Sequence, residues 1–510
     1  RFLSAIDALI ATPRRRWSCI GATVLAAAAV VLVLTPPAEY LPEGEEPKTF
    51  SVMIPPPGYN LAEMASIAQD VQDKLRPHLD QDPALFARGG TDMPRLAYYN
   101  LGVSTGNLRI IAEPSNPAEI DALMDALDAR FRSYPGMRAF SSRGSIISSN
   151  DGGTRSVNLD ISGPDLATLY QVAELAYRRA EALFDNARIG SDPGSLSLDQ
   201  PLVELRPRWE RLAELGFSAQ EFGFAVAALS DGAFVDEFIL GDDKIDILLF
   251  SAAGFEQSLP ALRRLPVYAP SGAVVPLESI ADLDETVDTD LIRRIDGRRT
   301  VTLNIVPPRS VALETAVETV RSGLMAAMAR DGELPTGVTL DISGASDQLD
   351  ATRAALSGNF AVAVLLCYLL LVAIFTHWGY PLLILATVPL GLAGGIVGLA
   401  ALNLVVSQPF DMITMLGFLI LLGTVVNNPI LIVDRARNNL ATGSGDVVEA
   451  VREAVASRLR PILMSTLTTV FGLAPLVFLP GAGTELYRGV GVIVLSGLVF
   501  STVLTLSFLP

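Results

Sequence analysis

Residues 412–433 read MITMLGFLILLGTVVNNPILIV, a run of 22 residues without a formal charge. At about 1.5 Å per residue, a helix of this length spans the roughly 30 Å hydrocarbon core of a bilayer. Within the run, Asn427 and Asn428 carry amides that hydrocarbon cannot satisfy, and Pro429 frees a backbone carbonyl. We therefore predict a membrane helix inside a bundle, because only neighbouring helices can supply the missing hydrogen-bond partners.

Composition divides the chain into two regimes. Half of the 510 residues are hydrophobic, yet the formal net charge is −17. Apolar residues concentrate at 18–35 and after residue 360, whereas acidic residues concentrate within 39–350. So acidic a chain is not expected to bind nucleic acid. Cys19 and Cys367 lie in apolar runs, so we predict neither a disulfide framework nor a cysteine metal site.

The apolar runs predict six crossings with a defined orientation. Three arginines precede the run at 18–35 and four glutamates follow it, so the positive-inside rule places residues 1–17 in the cytoplasm and 36–350 outside. The other five crossings form a bundle over 358–510, with helices expected at 360–375, 381–402, 412–433, 461–479 and 489–510. The predicted cytoplasmic loop of this bundle holds Arg435, Arg437, Arg452, Arg458 and Arg460.

The region outside alternates β-like runs with amphipathic helices in the order β-α-β-β-α-β, which is typical of a split βαβ unit. One unit is predicted at 36–150, and a second at 151–200 and 291–350. Residues 201–290 interrupt the second unit as an inserted subdomain. The insertion holds a predicted hairpin that turns at Gly241, Asp242, Asp243 and Lys244. The predicted fold class is therefore a membrane α-helical bundle with a large α+β region outside.

Two pairs of glycines occur four residues apart in the second bundle helix: Gly391 with Gly395, and Gly394 with Gly398. Such spacing favours close approach of neighbouring helices. The alternative is that these glycines reflect only the high glycine content of membrane helices.

This plan and several local strings resemble the resistance-nodulation-division (RND) efflux permeases of bacterial inner membranes, specifically their second half. NNPILIVDRA, RLRPILMSTLTTVFGLAPLV and PLLILATVPLGLAGG resemble helices of that repeat. YLPEGEEPKTFSVMIPPPGYNL resembles the entry to the first pore subdomain, and LPTGVTLDISGASDQ the exit of the last. The resemblance covers nearly all of the chain.

The resemblance implies a proton antiporter, not an enzyme, that exports small molecules from the periplasm or inner membrane and uses no cofactor. It implies a multi-pass protein with residues 36–350 in the periplasm, pore subdomains of the ferredoxin-like kind, and a docking subdomain at 201–290. The partners it implies are the bilayer, further copies in a homotrimer, a periplasmic adaptor (membrane fusion) protein and an outer-membrane channel.

By the resemblance, the proton relay in this half falls on Asn427, Asn428, Arg458 and Ser465. Drug-exporting members usually have lysine at the position of Asn427, and an asparagine cannot carry that charge. Each residue also has a structural interpretation: the amides as links between helices, Arg458 as an anchor at the membrane entrance, and Ser465 as a hydroxyl bonded to its own helix.

No carboxylate is predicted at mid-membrane, although a proton pump needs one. After residue 360 the carboxylates lie at helix ends or in loops: Asp411, Asp434, Asp446, Glu449, Glu453 and Glu485. The chain begins at Arg1, and its last apolar run continues to Pro510, so we expect a piece of a longer polypeptide with the last helix truncated. The resemblance assigns the paired aspartates to a preceding half, and we expect transport to require that N-terminal half, joined or as a partner.

For substrate contacts, the resemblance points to Tyr98, Leu101 and Val103, where drug exporters place phenylalanines. Alternating apolar residues on a strand are also typical of a core. The hairpin at 241–244 is expected to dock on the adaptor or channel, with an ordinary exposed turn as the alternative.

The sequence favours three other functions less. Metal efflux is less favoured, because no spacing of methionines demands a metal site. A single-repeat protein-export or lipid-handling component is a second alternative, against which the insertion at 201–290 argues. An enzyme is disfavoured, since no catalytic motif occurs.

Overall fold

Helix α1, Pro13–Leu34, is the first of six helical spans, among the residues that the structure describes, that are long and apolar enough to cross a membrane. Proline begins α1 at a position where its missing N–H costs nothing, and two further prolines follow its end. The computed structural model describes residues 12–41, 45–145, 155–184, 187–230, 232–252, 258–289, 291–308, 310–442, 446–479 and 484–508.

An antiparallel sheet with two long helices follows α1. Its elements are β1 Glu45–Ile54, α2 Leu61–Leu75, the short α3 Pro83–Ala87, β2 Leu96–Val103, β3 Leu108–Pro114, α4 Ile120–Arg132 and β4 Arg138–Ser145. The strand order is β2-β3-β1-β4. Asn60 begins α2 by accepting the N–H of Glu63, and apolar residues of both long helices and the sheet form one core. This is the β-α-β-β-α-β order predicted for 36–150.

The chain then starts a second sheet and leaves it for an insertion. The second sheet starts with β5 Val157–Gly163, α5 Leu166–Leu183 and β6 Arg188–Asp192. The insertion contains β7 Gln200–Pro207, α6 Trp209–Glu214, α7 Ala219–Leu229, β8 Ala233–Leu240, β9 Asp243–Leu249, α8 Leu259–Arg263, β10 Pro266–Tyr268, β11 Val274–Pro276 and β12 Ala281–Asp288.

The insertion is a compact unit of its own, Ser197–Leu291, while Arg1–Leu196 and Ile292–Pro510 form the other unit. Its core gathers apolar residues of α6, α7 and β12 around Leu212, Phe222 and Leu277. Ser218 and Glu221 form a capping box that begins α7.

After the insertion the chain completes the second sheet. It adds β13 Arg294–Ile295, β14 Arg298–Val306, α9 Leu313–Thr319, a π-helical turn Val320–Met325, α10 Ala326–Arg330 and β15 Thr339–Gly344. β14 pairs with β6 and β5, and β5 pairs with β15, all antiparallel. The order β6-β14-β5-β15 therefore repeats the arrangement of the first sheet, with the insertion entering between the second and third strands of the unit.

The remaining five spans form the membrane bundle. They are built from α11 Ala345–Phe375, α12 Gly379–Leu385, α13 Val388–Leu402, α14 Met412–Val425, α15 Asn427–Thr442, α16 Val447–Phe478 and α17 Thr484–Phe508. α13 and α14 pack on α17, and apolar side chains of α11, α12 and α14 share a core around Ile384 and Leu422.

Two predicted helices are interrupted in the structure. The span at 381–402 breaks after Leu385, because Pro389 has no N–H to donate to the Leu385 carbonyl. The span at 412–433 breaks at Val426. Pro429 causes this break in the same way, because it has no N–H to donate to the Val425 carbonyl.

The helices of the bundle also extend beyond their apolar segments. α11 begins 15 residues before the predicted 360, directly after Gly344, and α16 begins at Val447 instead of 461. These extensions contain polar residues, so the apolar runs of the sequence did not predict them. The five arginines predicted in a cytoplasmic loop consequently lie on α15 and α16.

Candidate functional site

The break between α14 and α15 presents two neighbouring asparagines on different sides of the chain. Asn428 is 2% exposed, whereas Asn427 is exposed. Adjacent helical residues lie about 100° apart around the axis, so one amide faces the bundle and the other cannot. The helix resumes with the N–H of Ile430 donating to the Val426 carbonyl at 3.3 Å.

The Asn428 amide joins a buried chain of hydroxyls across three helices. Its Nδ2 donates to Thr502 Oγ1 on α17 at 2.9 Å, and Thr502 Oγ1 lies 3.0 Å from Thr466 Oγ1 on α16. The Thr502 hydroxyl donates its only hydrogen to the Leu498 carbonyl at 2.7 Å. In the contact between the two threonines, Thr466 is therefore the donor and Thr502 the acceptor. α15, α16 and α17 are therefore linked by polar contacts that hydrocarbon cannot replace.

A cleft of about 300 Å³ opens beside this chain of hydrogen bonds. Asn427, Asn428 and Ser465 line it together, so the structure brings three of the four predicted relay residues to one place. None of the residues that line the cleft is charged. The lining residues are Gly423, Thr424, Val426, Asn427, Asn428, Ile430, Ser465, Thr469 and Leu498.

Arg458, the fourth predicted relay residue, does not line the cleft. It is half-buried on α16, two turns before Thr466, and its Nε is buried without a hydrogen-bond partner among the described residues. Ser465 itself is exposed in the chain, and its carbonyl accepts the Thr469 hydroxyl at 3.1 Å.

Thr466 and Thr502 belong to this site but were not among the predicted relay residues, and Thr502 is the one that Asn428 contacts directly. The last helix carries three buried hydroxyls, Ser501, Thr502 and Thr505, within its apolar run. Hydroxyls recurring in the middle of a membrane span are the signal that would have found it.

The four predicted packing glycines lie at contacts between helices. A Cβ at Gly391 would meet Val425 of α14 at 2.8 Å, and one at Gly395 would meet Ile493 of α17 at 3.2 Å. A Cβ at Gly394 would overlap Phe500, and one at Gly398 would overlap Ser496, both on α17. α13 thus approaches α17 more closely than any larger residue would permit.

The three predicted substrate contacts on β2 do not share a face. Leu101 packs on the core of the first sheet, together with Tyr99, whereas Tyr98 lies on the opposite, exposed side. Residues 98 and 101 differ by an odd number of positions, and side chains alternate along a strand. Val103, at the end of β2, is exposed.

The predicted turn of the insertion is a two-residue loop, Gly241 and Asp242, and Asp243 and Lys244 belong to strand β9. Gly241 has φ +67°, which suits glycine. The Lys244 ammonium pairs with Glu237 across the hairpin at 2.7 Å. After Ala233, every residue of β8 and β9 is exposed, including Phe238.

Metal-binding groups are not assembled in the part of the chain that the structure describes. Within it, no three His, Cys, Asp or Glu side chains are placed to hold a metal ion.

Comparison with known proteins identifies the family. The model of the AcrB/AcrD/AcrF family matches residues 7–510. The cobalt-zinc-cadmium resistance protein CzcA of Cupriavidus metallidurans is 26% identical over 96% of this chain and 46% of its own length. The toluene efflux pump membrane transporter TtgB of Pseudomonas putida is 25% identical over 93% of the chain and 44% of its own.

The multidrug export protein AcrF of Escherichia coli is 29% identical over 61% of the chain and 29% of its own length. The chain spans about half the length of CzcA and of TtgB. The family match and the six helical spans confirm the predicted family and location. The chain therefore belongs to the AcrB/AcrD/AcrF family of RND efflux permeases, and is a multi-pass protein of the bacterial inner membrane with a periplasmic region.

Proposed function

We propose that this chain is the second half of a permease that uses the proton-motive force to export small molecules. The observation that carries the proposal is the buried Asn428 amide, which lies at a helix break, begins a chain of hydrogen bonds across three helices and borders an open cleft. Such a site changes its hydrogen bonds when a neighbouring group gains or loses a proton, and the helices that it links move in response.

The carboxylate that binds the transported proton comes from an N-terminal half. This cleft is lined by amides and hydroxyls but by no acid, and it is wide enough for the side chains of another helix. In that arrangement Asn427 and Ser465, exposed in the chain alone, face the incoming carboxylate. Their neutral side chains accept or donate hydrogen bonds in either protonation state of the acid.

Replacing Asn428 by Ala in the complete transporter tests the proposal. We expect proton-coupled export to fall at least tenfold, because Thr502 and Thr466 lose the amide that links them to α15. Asn438→Ala is the matched control, since Asn438 is an exposed asparagine on the same helix. Transport is measured in proteoliposomes with an imposed pH gradient.

Export by Asn428→Ala at the wild-type rate would refute the proposed coupling role. Loss of membrane assembly in this variant would instead favour a structural role. Running the same assay with organic dyes and with Zn²⁺ or Co²⁺ separates small-molecule export from metal export, which the match to CzcA over 96% of the chain keeps as the second candidate.

The two sheets and the insertion, which lie outside the membrane helices, suit substrate passage and docking on partners. The two sheets have the strand order of ferredoxin-like subdomains, and we assign them to the substrate pore, with Tyr98 and Val103 as exposed contact candidates. The hairpin β8–β9 exposes apolar residues along its length, which favours docking on an adaptor, an outer-membrane channel or a neighbouring copy in a trimer. An isolated hairpin of this kind is marginally stable until it is covered.

A further inference from the structure

A backbone joint ties the outer ends of two membrane helices together. Residue 38, four positions after α1, forms a parallel bridge with Phe410, just before α14. The N–H of Glu39 donates to the Phe410 carbonyl at 3.0 Å, and the N–H of Met412 donates to the Tyr40 carbonyl at 3.0 Å. The two helices therefore enter the membrane from a shared, fixed point.

A buried ion pair fastens the second sheet to this joint. The Arg155 guanidinium, just before β5, donates to both carboxylate oxygens of Glu39, at 3.1 and 3.4 Å, and each side chain is 8% exposed. Arg155 also donates to the Val311 carbonyl at 2.6 Å, and Glu39 accepts the N–H of Leu313 at 3.1 Å. The start of α9 is thus held by the same pair, which is costly to break once it is buried.

Asp411 lies at this joint as the N-cap of α14. Its Oδ1 accepts the N–H of Thr414 at 2.7 Å. The side chain is fully buried, and Oδ2 has no hydrogen-bond partner among the described residues. An ionised carboxylate would leave this oxygen unpaired and would repel Glu39, whereas a protonated one relieves the repulsion.

We infer that Asp411 is a proton-binding group at the periplasmic end of the membrane domain, and that its charge state sets the strength of the Glu39–Arg155 joint. Protonation removes the negative charge beside Glu39 and tightens the joint. Ionisation adds a second negative charge beside Glu39 and loosens it. This inference goes beyond the proposed function, because it concerns the fold of the chain whether or not the Asn428 site couples transport.

The electrostatic setting agrees with this geometry. Burial, with a smaller contribution from the charge of Glu39, raises the pKa of the Asp411 carboxyl from 3.8 to about 6. The N–H groups of Thr414 and Ile413 and the Thr414 hydroxyl act in the opposite direction and only partly offset the burial. The neighbouring elements contribute other charges in addition to Glu39: Arg155 before β5, Glu314 on α9, its partner Arg353 on α11, and Arg488 on α17, beside Gly489, which packs against Thr414.

The sign of the pH effect follows from this raised pKa. The folded chain takes up a proton at Asp411 as the pH falls through about 6, whereas the unfolded chain does so only near 3.8. The stability that this group contributes is therefore present at low pH and is lost as the pH rises through about 6.

Neutral caps at position 411 provide the test. Asp411→Asn and Asp411→Ser both keep an N-cap acceptor and remove the titrating proton. In detergent, we expect each variant to melt a few degrees above wild type at pH 8, and the difference to shrink by about half at pH 5. Asp446→Asn is the matched control, because Asp446 caps α16 in the same way but is exposed.

A difference between variant and wild type that stays the same at pH 5 and pH 8 would overturn the inference and leave Asp411 as a helix cap only. The inference would also be overturned if the stability fell from pH 8 to pH 5 by the same amount in wild type and in every variant. If Asp411→Asn does not fold, Asp411→Ser decides. Failure of both neutral caps to fold at either pH also overturns the inference, because it would mean that the joint requires the ionised form. None of these measurements uses transport, so their outcome is independent of the Asn428 test.

Discussion

At the scale of single residues, the polar chemistry of the membrane domain depends on which way each side chain points. Asn427 and Asn428 are the same residue type at neighbouring positions, yet one is exposed and the other is hydrogen-bonded to Thr502. The Asn428 amide and the Thr502 and Thr466 hydroxyls form one buried chain of hydrogen bonds. The network is small, so the loss of one member is measurable.

Replacing Thr502 by Val removes the acceptor of the Asn428 amide while keeping the shape of the side chain. We expect a loss of stability of about 0.6–1.7 kcal/mol, the range found for hydrogen bonds between membrane helices. Thr468→Val is the control, since the Thr468 hydroxyl only donates to the Met464 carbonyl of its own helix. Thermal unfolding in detergent measures both.

The double variant Asn428→Ala with Thr502→Val separates a shared interaction from two independent ones. If the two residues act together, the second substitution adds little to the first. Full additivity would mean that the hydrogen bond contributes nothing to stability.

At the scale of elements, the contact between α13 and α17 is set by glycine. A methyl group at Gly394 would overlap the Phe500 side chain, so Gly394→Ala has to push the two helices apart. We expect a cost of about 1–3 kcal/mol from overpacking. Gly472→Ala is the matched control, because no atom lies within 4 Å of a Cβ added there. Equal melting temperatures for both variants would show that α13 and α17 separate at no cost.

At the scale of the whole molecule, the second sheet closes without help from the insertion. Its strand pairs, β6–β14, β14–β5 and β5–β15, all lie outside Ser197–Leu291. Arg293 Nε lies 3.0 Å from Asp192 Oδ2, so the chain leaves and re-enters the sheet at nearly the same point.

Excising Ser197–Leu291 and joining the ends with a short glycine linker should therefore leave a folded, membrane-inserted chain. We expect the two sheets to stay protease-resistant, measured by limited proteolysis, and, on the proposed docking role of the insertion, capture by a periplasmic adaptor to be lost. The control removes β6 as well, residues 188–291, and should lose the sheet. An unfolded chain after the first excision would show that the insertion is part of the fold of that subdomain.

The sequence by itself determined the features that depend on local pattern. Uncharged runs of spanning length predict helices because lipid excludes unpaired backbone and charge, and alternating periods predict strands and amphipathic helices. The span at 412–433, the two β-α-β-β-α-β units and the insertion at 201–290 were all predicted in this way, whereas the break of that span at Val426 was not. The strings around Asn428 were sufficient to suggest the RND family, which the family match then confirmed.

Tertiary structure alone decided the features that depend on distant partners. The Glu39–Arg155 pair joins residues 116 positions apart, and Asn428 meets Thr502 across 74. No local period encodes which helix faces pack together, so the burial of Asn428 and the unpaired Oδ2 of Asp411 appeared only in the folded chain. The physical reason is that burial is a property of packing, whereas apolarity is a property of the residue.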